Sequence, residues 1–201
     1  MKRGGLAVLC AMVLGVATTG AGNRLNRKHW SHYRNTRWGF CVDYPADWKS
    51  SELQDGSGVT LYPRAHGNST NGPYFSISGV PDQPDVDNAN IVLDDSPPLD
   101  LDGNFARSLE SLREYDHASD IRVLGNRRLK FQGFDALRTR IRYRTPPDRK
   151  ELADDTFWVN KEYVIFTAIL FGPSRQVREL EPVYRDIVMH RFQLVCPAGR
   201  S

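Results

Sequence analysis

No stretch of this 201-residue chain approaches the roughly eighteen consecutive apolar residues that a membrane-spanning helix needs. Cysteine is scarce, at three residues, and charge of one sign is scarcer still: 27 Lys and Arg face 24 Asp and Glu, a formal net charge of +3. Bulk charge therefore gives no argument for nucleic acid or for an anionic membrane as the partner. The chain also lacks Gly-x-Ser-x-Gly, His-Glu-x-x-His, a phosphate-cradling glycine loop and a dinucleotide fingerprint, so no motif points to a familiar enzyme class. What remains is a composition of 40% hydrophobic and 25% charged residues, ordinary for one globular domain with a real core.

The longest apolar run stands at the start. Lys2 and Arg3 precede Leu6 to Ala17, and Thr19 and Ala21 supply small residues at the exit. This is the pattern of a secretory signal peptide, residues 1–21, with a cut one or two residues either way fitting nearly as well. The expected location is the periplasm or the outside of the cell, with no membrane span in the mature chain. Cys10 lies inside the apolar run behind Leu9, which argues against lipid attachment. Removing Lys2 and Arg3 lowers the formal charge to +1. It also leaves Cys41 and Cys196, near opposite ends of the domain, as a disulfide candidate in an oxidising compartment. Closing so long a loop contributes at most about 5 kcal/mol.

Residues 22–36 read as a polar, basic leader, 37–196 as a single domain and 197–201 as a tail. Within the domain, Trp38 to Tyr44 alternates aromatic or apolar residues with Gly39, Cys41 and Asp43, a strand that Pro45 ends. Gly58–Tyr62 and Tyr74–Val80 read as two further strands. Residues 81–103 form a long loop rich in aspartate and proline. A helix over 104–117 follows, capped by Asp102 or Asn104, with Phe105, Leu109 and Leu112 on its buried stripe. Two extended segments meet at Gln132-Gly133 as a hairpin, and a second hairpin joins Thr156–Val159 to Tyr163–Phe171, the most apolar strand and so the expected centre of the sheet. Ser174 can cap a last helix whose buried face carries Val177, Leu180, Tyr184, Ile187 and Val188. These elements predict an α+β fold with a largely antiparallel sheet flanked by helices.

The opening WGFCVDYPADW and the closing YVIFTAILFGPSRQVRELEPVYRDIVMHRFQL resemble the Mog1p/PsbP-like family, in its first strand and Tyr-Pro-x-x-Trp turn, and in its late strand, last helix and Ile-Val-x-x-x-Phe exit. The resemblance covers about residues 36 to 195, with no counterpart for the acidic loop. It implies an α/β/α sandwich and a scaffold that binds partners, and no particular chemistry.

The five histidines, His29, His32, His66, His117 and His190, have no cysteine beside them at zinc-site spacing and read as surface residues. An Asp/His pair meeting in space as acid and base keeps a hydrolase as the alternative function. Asp100, Asp102, Gly103 and Asn104 imitate part of an EF-hand, but Pro98 stands at its first ligand position and Leu109 at its twelfth, which excludes that loop. A looser calcium site in the Asp cluster stays open beside a simple solvated loop. No cofactor is expected.

Arg138, Arg140, Arg142 and Arg144 alternate with Leu137, Thr139, Ile141 and Tyr143. In a strand that alternation sends all four arginines to one face and leaves Leu137, Ile141 and Tyr143 for the core. Four neighbouring cations need an answer. It is either internal, from the Asp-rich loop or acids on adjacent strands, or external, from an acidic protein surface docking there with help from Arg127, Arg128 and Lys130 across the hairpin. The function expected is thus a non-enzymatic exported binding or accessory domain, such as an inhibitor, an immunity protein or an envelope-complex subunit, with an acidic protein as partner and no nucleic acid.

Overall fold

In the computed structural model, residues 29–64, 72–81, 100–147 and 149–197 are described. The signal segment, His66 and most of the acidic loop lie outside them. Seven antiparallel strands form the main sheet: β3 (Lys49–Glu52), β4 (Gly58–Tyr62), β5 (Tyr74–Pro81), β6 (Ser119–Phe131), β7 (Phe134–Arg144), β8 (Glu151–Lys161) and β9 (Val164–Pro173). Their order is β3-β4-β5-β9-β8-β7-β6, so the apolar β9 is central, as its composition predicts. A smaller sheet orders β1 (Trp30–Arg34), β2 (Cys41–Pro45) and β10 (Phe192–Gln193) as β1-β2-β10.

Helix α1 (Leu101–Glu114) covers one face of the main sheet, packing Leu101 and Phe105 against Leu137, Ile141 and Tyr143. Helix α2 (Ser174–Asp186), its π-type extension Ile187–Arg191 and the small sheet cover the other. The result is an α+β fold layered as an α/β/α sandwich. The larger core joins the two sheets through Phe40, Phe166 and Phe192, whose rings meet edge-on at 5.9 and 5.8 Å from Phe40. Each such contact adds about 1 kcal/mol beyond area burial. Gln132 and Gly133 both take positive φ, 50° and 91°, which closes the β6–β7 hairpin in two residues.

Three local expectations are corrected. Residues 30–34, read as leader, pair with β2 from Trp30↔Pro45 to Arg34↔Cys41; their polar character reflects a strand with one paired edge and a half-exposed face. Helix α1 starts three residues earlier than expected because Asp100, not Asp102 or Asn104, accepts the Gly103 N–H at 2.7 Å. Ser174 is the first helical residue of α2 rather than its cap; Pro173 precedes it, and the Ser174 hydroxyl has no hydrogen-bond partner among the described residues.

Candidate functional site: the arginine face of the sheet

Strand β7 lies between β6 and β8, so each of its residues has a neighbour on either side. Its alternation places Leu137, Ile141 and Tyr143 under α1 and turns the four arginines toward the α2 side. Arg138 is the most enclosed. Its Nε and Nη2 donate to the two carboxylate oxygens of Asp155 on β8 at 2.8 and 2.5 Å, and Nη2 also reaches Glu181 Oε1 of α2 at 3.1 Å. Asp155 is 3% exposed and Arg138 23%. The guanidinium also lies 5.9 Å from the centre of the Tyr184 ring. The hydrogen bonds to Asp155 hold the guanidinium in its charged form despite burial, raising its already high pKa.

Asp155 sits directly across from Arg140 in the register, yet it answers Arg138. Arg140 folds instead over Gly125 of β6, where a Cβ would come within 3.4 Å of its Nε. No carboxylate lies within 4 Å of Arg140 among the described residues. Arg142 and Arg144 have long pairs, 3.8 Å to Glu151 and 3.8 Å to Asp120. Pairs of that length at the surface hold little energy.

The flanking basic residues divide between the faces. Arg127 stands opposite Arg138 and Arg122 opposite Arg142, so both join the arginine face. Arg128 and Lys130 stand opposite Leu137 and Asp135 and belong to the α1 side. There Arg128 bonds Asp102 and Lys130 meets Asp135 at 2.9 Å. The basic cluster expected around the stripe is thus split, a consequence of the two-residue period of a strand.

Two small hollows open on this region. One, of about 80 Å³, is bounded by Leu124, Arg140, Asp155, Val177, Arg178 and Glu181. The other, of about 60 Å³, lies among Asp120, Arg122, Arg142, Arg144 and Glu151. Small-molecule sites run to several hundred Å³. Neither hollow is lined by a histidine. Among the described residues an Asp/His pair is formed by His32 Nδ1 and Asp43 Oδ1 at 2.7 Å, on the small sheet. Asp154, one residue from Asp155 and on the opposite face, is pushed up to about 6, first by burial and then by the charge of Asp155, against a hydrogen bond from Thr156. Burial raises Tyr143 and Tyr74 as well, with Asp154 adding to both.

Among the described residues no group of His, Cys, Asp and Glu is arranged to hold a metal. Asp100 and Asp102 serve as helix cap and Arg128 partner; Asp82, Asp85, Asp87, Asp94 and Asp95 lie outside the described residues. Cys41 and Cys196 do come together, as free thiols. The Cys196 N–H donates to Gly39 O at 3.0 Å, and the Cys41 thiol is pushed up to about 12 by burial and by the neighbouring Cys196.

No family model and no curated protein matches the chain. Solved structures do. The chain is similar to cyanobacterial PsbP (CyanoP) from Synechocystis sp. PCC 6803, with a TM-score of 0.56 and 13% identity, over 87% of this chain and 98% of that one. Looser matches are PA94 of Pseudomonas aeruginosa, a protein of unknown function, with a TM-score of 0.46, 13% identity and coverage of 86% and 99%, and LpqN of Mycobacterium tuberculosis, involved in cell envelope biogenesis, with a TM-score of 0.46, 12% identity and coverage of 82% and 90%. The likeness to CyanoP shows a PsbP-like fold. At this identity it shows the fold alone.

Proposed function

We propose that this chain is a non-enzymatic, exported accessory domain of the Mog1p/PsbP-like kind that docks an acidic protein surface against its arginine face. The observation that carries the reading is the uneven neutralisation of that face. Asp155 and Glu181 answer Arg138, whereas Arg140, Arg127, Arg122 and Arg178 have no carboxylate partner among the described residues. Guanidinium groups on a sheet are suited to bidentate contacts with a partner's carboxylates. Hollows of about 80 and 60 Å³ suit side chains of such a partner better than a substrate. The N-terminal signal pattern supports an extracytoplasmic site of action, where an inhibitor, an immunity protein or a subunit of an envelope complex would work.

The test is crosslinking and pull-down from the native envelope, followed by binding of the recovered partner to an Arg140→Glu/Arg142→Glu variant. Like-charge repulsion should weaken binding by at least about tenfold with circular dichroism unchanged. Unchanged binding would confine the arginines to a structural role. In the same compartment Cys41 and Cys196 are proposed to join, since their thiols already adjoin; intact-mass measurement with and without reductant on protein taken from the envelope reads this directly.

A further inference from the structure

Strand β6 forms one edge of the main sheet, and it is long, running from Ser119 to Phe131. Register shifts are confined to its first half, between Ser119 and Arg122 and between Val123 and Gly125. From Gly125 to Phe131 it pairs without interruption with Arg140 to Phe134. In such an antiparallel pair alternate residues direct their N–H and C=O groups away from the neighbouring strand. On β6 those groups face outward, and among the described residues no strand takes them. The strand is mostly exposed, with Val123 at 48% and Leu124 at 45%.

An edge like this is open to strand addition unless something blunts it. Basic side chains can be such a guard, and here they decide which strand is refused. A second copy of the chain would set Arg122, Arg127, Arg128 and Lys130 against their own kind, and like charges across a ladder are destabilising. An acidic strand reverses the sign. The two faces then fix its phase. Arg128 and Lys130 already hold Asp102 and Asp135 on the α1 side, while Arg127 is open on the side of Arg140. An incoming strand therefore has its unanswered cations on one face only.

We infer that β6 accepts an acidic extended segment of another protein by strand addition along Gly125–Phe131, with the segment's carboxylates on the face of Arg127 and Arg140. The inference rests on the docking reading above and names its geometry. Backbone pairing supplies the contact, and the alternation of the incoming acids supplies the selectivity.

The probes are a blocked peptide of alternating glutamate and valine, and two versions N-methylated at one or the other set of alternate backbone nitrogens, titrated into the isotope-labelled protein. Amide exchange should slow by at least about tenfold at alternate positions within Gly125–Phe131, with the rest of the sheet unchanged. One methylated version should bind as the parent does and the other should not. Loss of envelope-partner binding in the Arg140→Glu/Arg142→Glu variant, with β6 exchange untouched by peptide and partner alike, would overturn strand addition and leave side-chain docking standing. Partner binding indifferent to that variant would remove the docking reading itself. Equal binding by all three peptides would also overturn strand addition, because the backbone would then not be read.

Discussion

Asp154 and Asp155 are neighbours on β8 and point to opposite faces of the same sheet, and their fates differ. Asp155 meets a bidentate arginine and a second acid from α2 closes the network. Asp154 meets Thr156 and a setting of tyrosines under the α1 side, with no cation bonded to it among the described residues, and its carboxyl resists ionisation as a result. The contrast runs along β7 too. One face is an apolar core sealed by α1; the other is a row of cations answered only in part. Burial of a charge is tolerated where a partner is built in, and the same strand shows both solutions one residue apart.

The contrast can be broken most severely from the apolar side. Leu137 is fully buried, and Leu137→Ala should cost about 3 kcal/mol of unfolding free energy, read by denaturant titration with an unchanged m-value. Next comes the answered cation. Asp155→Asn leaves Arg138 with Glu181 alone and should cost about 2 kcal/mol, while an Arg138→Ala/Asp155→Asn double variant should lose less than the sum of the two single changes.

Asp154 sharpens the comparison through pH. Its folded pKa of about 6 exceeds the ordinary 3.8, so its contribution to stability is complete below the lower value and is lost as pH rises through the higher. Asp154→Asn abolishes that loss. Between about pH 4 and pH 7 the variant's stability relative to the native chain should improve by about 2 kcal/mol, measured as midpoints at each pH. The smallest effect belongs to the rim. Arg144→Ala breaks a 3.8 Å exposed pair and should shift stability by less than about 0.5 kcal/mol.

The period-two pattern of β7 was enough to put its arginines on one face, because alternation is a property of the strand itself. The same rule, applied across the hairpin, needs the register, and register is not written in composition. Arg127 and Arg128 look equivalent in sequence; only the pairing of Arg127 with Arg138 and of Arg128 with Leu137 separates them. The partner of Arg138 was hidden for the same reason, since Asp155 lies opposite Arg140 and reaches diagonally. Strand β1 is not legible in the sequence because Trp30 and Tyr33 stand three apart and so show no two-residue alternation, and Ser31, His32 and Arg34 around them are polar. The start of α1 differs from the expectation because Asp102 and Asn104, the caps the pattern suggests, lie inside the helix, and the Gly103 N–H donates to Asp100 instead.

The small sheet has a consequence for the order in which the chain can fold. Arg34 and Gln193 flank Cys41 from either side, two strand spacings or about 10 Å apart, although 159 positions divide them in the chain numbering. Phe192 and Leu194 also complete the core beneath β2. A chain emerging N-terminus first therefore has an open core until residues 192–194 arrive, and the domain closes only when β10 is free to reach back to β2.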